Sequence, residues 1–137
     1  MSAKIRTVSY FYMCVPDKPG EGCRVLAELA EAGVNLLAFS AVPVGPESTQ
    51  LVLFPDSVDT LLRVAERGSY VLTGPHRAFL IQGDDRLGAL VETHEKLCDA
   101  GINVYASTGV SDGRGGFGYV MYVRGEQFEE ASGVLGV

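Results

Sequence analysis

The chain repeats itself, and that repeat limits what it can fold into more than any other feature. Asp17-Lys18-Pro19-Gly20 through Ala32-Gly33-Val34-Asn35 recurs as Asp85-Arg86-Leu87-Gly88 through Ala100-Gly101-Ile102-Asn103, at a constant offset (88 − 20 = 68; 103 − 35 = 68). The same register pairs Phe11 with Phe79, Leu29 with Leu97, Ala38 with Ala106, Val42 with Val110, Gly45 with Gly113 and Val52 with Val120, with no gap. So many matches in one register mark a duplication. The copies are expected over residues 1–74 and 75–137. A unit of about 68 residues has a marginal core by itself, so the two are expected to pair within the chain.

Hydrophobic periodicity assigns elements to each copy. Thr7 to Val15 is rich in aromatic and β-branched residues, as a strand is. Pro16 to Gly22 is a Pro/Gly loop. Val25, Leu26, Leu29 and Ala30 form an apolar helical face closed by Gly33. Two strands follow, Asn35 to Val44 and Thr49 to Phe54, then a helix marked by Val58, Leu61, Leu62 and Ala65, then a short strand, Tyr70 to Thr73. The order β-α-β-β-α-β is the ferredoxin-like split βαβ of the α+β class. In the second copy the helix face reads Leu87, Leu90, Val91, His94, Leu97 and Cys98, with strands at Arg77 to Gln82, Asn103 to Val110 and Phe117 to Val123. Its last helix, near Glu126 to Leu135, is weak, because Glu129 and Glu130 stand where the first copy has Leu61 and Leu62. A fourth strand would begin at 70 + 68 = 138, past Val137, so the second unit is expected to lack it. In a sheet ordered 4-1-3-2 this leaves the outer edge of Arg77 to Gln82 open. Ala78-Phe79-Leu80-Ile81 carries no edge-blocking Pro or Lys. A second copy of the chain pairing about a two-fold axis is expected to cover it, giving a homodimer.

The net charge of −6, without a Lys/Arg cluster, argues against nucleic acid and anionic membrane as partners. No apolar run approaches the ~20 residues of a membrane helix, and Met1 to Thr7 has no secretory pattern. Cys14, Cys23 and Cys98 are irregularly spaced, which reads as reduced thiols in a cytoplasmic protein. No metal-ligand spacing or cofactor motif is present, so no cofactor is expected. The glycine-rich run Asp112 to Gly118 falls at a hairpin instead of opening a helix, which makes it a turn. Cys23, near a helix start, has no paired base and reads as an inert thiol. His94 occupies the position of Leu26 and reads as a hydrogen-bonded residue at the core edge. His76, beside Gly74-Pro75, reads as surface.

A strand ending at Val15, the loop Asp17-Lys18-Pro19-Gly20 and a helix running into Ala32-Gly33-Val34-Asn35-Leu36 resemble the ACT signature. Asp85-Arg86-Leu87-Gly88 to Gly101-Ile102-Asn103-Val104 is similar, with Leu87 where the motif has Pro. The resemblance covers roughly residues 5–74 and 75–135 and implies a stand-alone tandem ACT-domain protein. It also implies an amino acid held between paired ACT units at this loop and the following strand. The residues so implicated are Asp17, Lys18, Pro19, Gly20 and Asn35, and Asp85, Arg86, Gly88 and Asn103. Physical chemistry allows the same use. A Pro-Gly turn opening a helix presents N–H groups at the positive end of the dipole, which suits a carboxylate. Asp17 can accept from an ammonium group, and Asn35 offers both a donor and an acceptor. The same residues also serve plain structure: Asp17 as a cap or turn residue, Gly20 and Gly88 for tight turns, Asn35 and Asn103 at the helix-to-strand corner.

Three functions therefore compete. The first is a regulatory sensor binding an amino acid, acting on an enzyme that the sequence does not name. The second is a small ferredoxin-like enzyme, although no nucleophile–base pair is visible. The third is an interaction subunit without a ligand. The resemblance favours the first, with no catalysis.

Overall fold

The computed structural model describes residues 3–137. They form two compact units: Ser9–His76, and Arg77–Val137 together with the residues up to Val8. In the first unit, strand β1 (Lys4–Pro16) leads through a turn to helix α1 (Glu21–Glu31), then β2 (Leu36–Val44), β3 (Ser48–Pro55), α2 (Val58–Gly68) and the start of β4 (Thr73–Asp84). The strands lie in the order β2-β3-β1-β4, and Leu53 of β3 faces Phe11 on one side and Phe39 on the other. Strand alternation turns Phe11, Met13, Val15, Leu51 and Leu53 to one face, where Val25 and Leu29 of α1 and Leu61 of α2 bury them. Each fully buried side chain of this size contributes about 1.5–3 kcal/mol, so this layer fixes where α1 lies. Helix α2 opens at Ser57, whose hydroxyl oxygen accepts from the Thr60 N–H at 3.4 Å.

The second unit repeats this plan with α3 (Val91–Asp99), β5 (Val104–Ser111), β6 (Gly116–Val123), a 3₁₀ turn (Gly125–Gln127) and α4 (Phe128–Leu135). The repeat extends to single hydrogen bonds. Asp17 N–H donates to the Glu47 carbonyl at 2.9 Å, and Asp85 N–H to the Gly115 carbonyl at 2.9 Å. Val34 N–H bonds Leu29, and Ile102 N–H bonds Leu97, both at 2.9 Å. Register breaks fall between Leu36 and Ala38 and between Val104 and Ala106. The core places Phe79, Ile81, Leu97, Ile102 and Met121 where the first unit has Phe11, Met13, Leu29, Val34 and Leu53.

Several expectations change. The short strand expected at Tyr70 to Thr73 and the strand expected at Arg77 to Gln82 are one strand, β4, which starts only at Thr73. Leu87 is fully exposed in the loop, and α3 starts at Val91 with Thr93 and Leu97 buried. The Glu129–Glu130 mismatch is resolved by the 3₁₀ turn, which rotates the helix so that Phe128 and Ala131 face the core. His76 is half-buried against Tyr10 and Tyr12, with ring centroids 5.3 and 5.1 Å away. Among the described residues its Nε2 has no hydrogen-bond partner.

The open edge is the largest correction. Among the described residues the second unit has no strand after α4, but the beginning of β1 takes that place, giving the order β1-β4-β6-β5. A Cβ added at Gly83 would lie 3.0 Å from the Cα of Ala3. Ala3 and Ile5 pack on the cluster of Phe79 and Ile81. The edge of Arg77 to Gln82 is therefore covered from within the chain and does not need the second chain expected there. A thirteen-residue strand is long enough to serve two units, which a repeat comparison cannot reveal.

Candidate functional site

Helix α1 turns Val25 and Leu29 into the core and leaves Leu26 on its flank, 38% exposed, as is Phe39 of β2. Between this flank and the outer strands runs a groove of about 660 Å³. Its apolar walls are Leu26 and Ala27 of α1, Phe39 and Ala41 of β2, and Leu51 of β3; Asp17, Lys18 and Glu21 line it where β1 hands over to α1. Gly20 is the residue before α1, at φ 89°, a left-handed conformation that glycine adopts freely. No side chain caps this helix start. A Cβ on Gly20 would meet nothing within 4 Å, so its local requirement is backbone conformation.

The remaining implicated residues divide. Pro19 and Gly20 form the turn outside the groove lining. Asn35 is exposed beyond the far end of α1, its carbonyl accepting from Asp56 N–H at 2.9 Å. A helix of eleven residues separates it from the loop by about 16 Å. The structure thus brings Asp17 and Lys18 together and sets Asn35 apart. In the second unit Asp85, Arg86 and Gly88 line a groove of about 460 Å³ with Tyr119 and Val110, while Asn103 stands beyond the opposite end of α3. The Asp85 carboxylate accepts from the Ser111 hydroxyl at 3.0 Å.

A third recess, about 510 Å³, is lined by Cys14, Arg24, Gln50 and Tyr70. Here the polar groups satisfy one another. Tyr70 donates to the Glu28 carboxylate, and Arg24 donates to Glu28 at 3.2 Å and to Glu21 at 3.1 Å. Burial first, then the bond to Glu28, pushes the Tyr70 phenol up to about 12. The same bond, ahead of Arg24, holds the Glu28 carboxyl below its ordinary value. Arg24 is raised by its bonds to Glu21 and Glu28. With its cation already paired, this recess is a poorer anion site than the groove beside Lys18.

No family model and no curated protein matches the chain. Solved structures do. The protein BT0572 from Bacteroides thetaiotaomicron superimposes with a TM-score of 0.80 at 14% identity, covering 96% of this chain and 88% of that one. The regulatory subunit of aspartate kinase from Thermus thermophilus, in its ligand-free form, gives 0.65 at 16% identity over 98% and 94%. That from Thermus flavus gives 0.57 at 15% over 98% and 94%. The fold is ACT-like. At these identities the likeness is one of backbone course. Among the described residues of this ACT-like chain, no group of three or more His, Cys, Asp or Glu could hold a metal ion. No described helix is long and apolar enough to cross a membrane. All three cysteines are free and exposed.

Sequence reasoning passed over two side-chain pairs. Tyr70 with Glu28 left no local signal, because the partners are 42 residues apart. His94 with Tyr119, at 2.7 Å, was half visible, since the repeat aligns both with leucines.

Proposed function

We propose that this ACT-like chain is a regulatory protein that binds an amino acid in the groove of Ser9–His76. One observation carries the reading. The groove is apolar along its length and has charges of both signs at the loop end, Asp17 and Lys18, with Glu21 beside them paired to Arg24. A zwitterion matches that arrangement: the Lys18 ammonium takes the carboxylate, helped by the start of α1, and Asp17 takes the amino group. Asp85 and Arg86 repeat the charge pair in the second unit. The fold shared with regulatory subunits of aspartate kinase supports a regulatory use. In this reading the output is association, with a second copy of the chain or with a regulated enzyme. The homodimer then forms through the outer strand β2, whose Val42 and Val44 are both 45% exposed, and not through β4.

The test is a thermal-shift screen of the full chain against the proteinogenic amino acids. A ligand at a hundredfold excess over its Kd stabilises the protein by about 2.7 kcal/mol, a clear rise in Tm. Lys18→Ala and Asp17→Asn should each weaken the hit about tenfold, or about 1.4 kcal/mol. A screen with no hit, or a hit unaffected by both variants, would refute the site.

A further inference from the structure

The grooves of the two units differ at positions that the repeat brings into register. Leu26, Ala41 and Leu51 of the first correspond to His94, Gly109 and Tyr119 of the second (26 + 68 = 94, 41 + 68 = 109, 51 + 68 = 119). Three apolar wall residues have thus become a histidine, a glycine and a tyrosine. His94 Nε2 and the Tyr119 hydroxyl are hydrogen-bonded at 2.7 Å, linking α3 to β6. The arrangement depends on Gly109, the residue opposite Tyr119 on β5. A Cβ there would lie 2.8 Å from Tyr119 Cδ1, so only a glycine lets the ring lie in this position.

The bridge coincides with a division of space. Beside α1 one groove of about 660 Å³ includes both the charged loop and the helix flank at Leu26. Beside α3 the corresponding residues line two smaller recesses. One, about 460 Å³, holds Asp85, Arg86 and Tyr119. The other, about 350 Å³, holds His94 and Glu95. Leu90 and Val91 border both. An apolar side chain entering from Asp85 and Arg86 meets a phenol, and to pass it must part the phenol from the imidazole without offering either a new partner. The pair is part-buried, and parting it without offering the phenol a new partner costs on the order of tenfold in affinity. In the first groove the same path meets leucine side chains, which an apolar ligand covers favourably.

We propose that the two grooves have diverged in specificity. The groove of Ser9–His76 takes an amino acid with an apolar side chain of about the size of leucine, and the His94–Tyr119 bridge bars that ligand from the second unit. The chain then binds one such ligand, not two. This rests on the amino-acid reading given above.

Isothermal titration of the full chain with L-leucine, and with L-serine as the polar comparison, tests it. The expected result is one leucine per chain, with serine at least tenfold weaker. The double variant His94→Leu/Tyr119→Leu should gain a second leucine site. If that variant does not fold, the reverse transplant Leu26→His/Ala41→Gly/Leu51→Tyr should lower leucine affinity at least tenfold. Two leucine sites in the unaltered chain, or serine binding as tightly as leucine, would overturn this inference and leave the amino-acid reading standing. So would a folded bridge-free variant that still binds one leucine. No heat from any amino acid would overturn both.

Discussion

Replacing Phe128 by alanine tests whether the second unit's last helix is held in the phase that the structure shows. Phe128 is 3% exposed. Its ring stacks on Phe79 with centroids 4.6 Å apart and 2° between planes. The Arg77 guanidinium lies 4.2 Å from its centroid. Deleting a buried phenylalanine costs about 3–5 kcal/mol. Within that total the aromatic pair accounts for about 0.5–1.5 kcal/mol and the half-exposed arginine for about 0.5–1 kcal/mol. A whole domain is stable by only about 5–15 kcal/mol, so Phe128→Ala should bring the second unit close to unfolding. In urea, followed by far-UV circular dichroism, a loss of about 4 kcal/mol at an m-value of about 2 kcal/mol/M lowers the midpoint by about 2 M. The comparison is Glu129→Leu, which would restore the Leu61 of the first copy. The Glu129 side chain is 80% exposed and pairs with Arg77 at 2.6 Å. Losing an exposed pair costs about 0.2–1 kcal/mol, so this change should be slightly destabilising. If Phe128→Ala costs under 1 kcal/mol while Glu129→Leu stabilises, α4 sits in the phase of α2 and the reasoning is wrong.

Three further outcomes are expected. Gly20→Ala should cost about 1–2 kcal/mol, because an L residue is strained at φ 89°; Gly133→Ala, inside α4 with open space around it, should instead stabilise by about 1 kcal/mol, and equal effects in urea melts would contradict this. The folded state raises the Tyr70 phenol from 10.0 to about 12, so its contribution to stability is complete below pH 10 and disappears as the pH rises toward 12; at the acid end the depressed Glu28 carboxyl contributes above its ordinary 4.5 and ceases to as pH falls through its lowered value. Tyr70→Phe should flatten the alkaline limb of a pH–stability curve, and an unchanged limb would count against the pairing. Amides of Arg77 to Gln82 should exchange slowly in dilute, monomeric protein because β1 and β6 flank that strand; rapid exchange would show the edge to be open after all.

The amino-acid sequence alone reveals the duplication, the element order in each copy and the loop where the charged pairs Asp17–Lys18 and Asp85–Arg86 sit. These are local or periodic properties, written in residues a few positions apart or at a constant offset. It also showed His94 in the place of Leu26, which was enough to expect a hydrogen bond there but not its partner. Tertiary structure decided the rest. It put Asn35 a helix length from the loop, because α1 runs unbroken between them. It rotated α4 by a 3₁₀ turn, burying Phe128 in place of a Leu61 counterpart. It gave the vacant strand position to Lys4–Val8, residues more than sixty positions from the edge they cover. And it joined His94 to Tyr119 across Gly109. The distance of Asn35 from the loop follows from the helix already legible between them; the other three rest on contacts between segments distant in the chain, selected by which surfaces bury the most apolar area and leave the fewest backbone groups unpaired, and no local pattern records that competition.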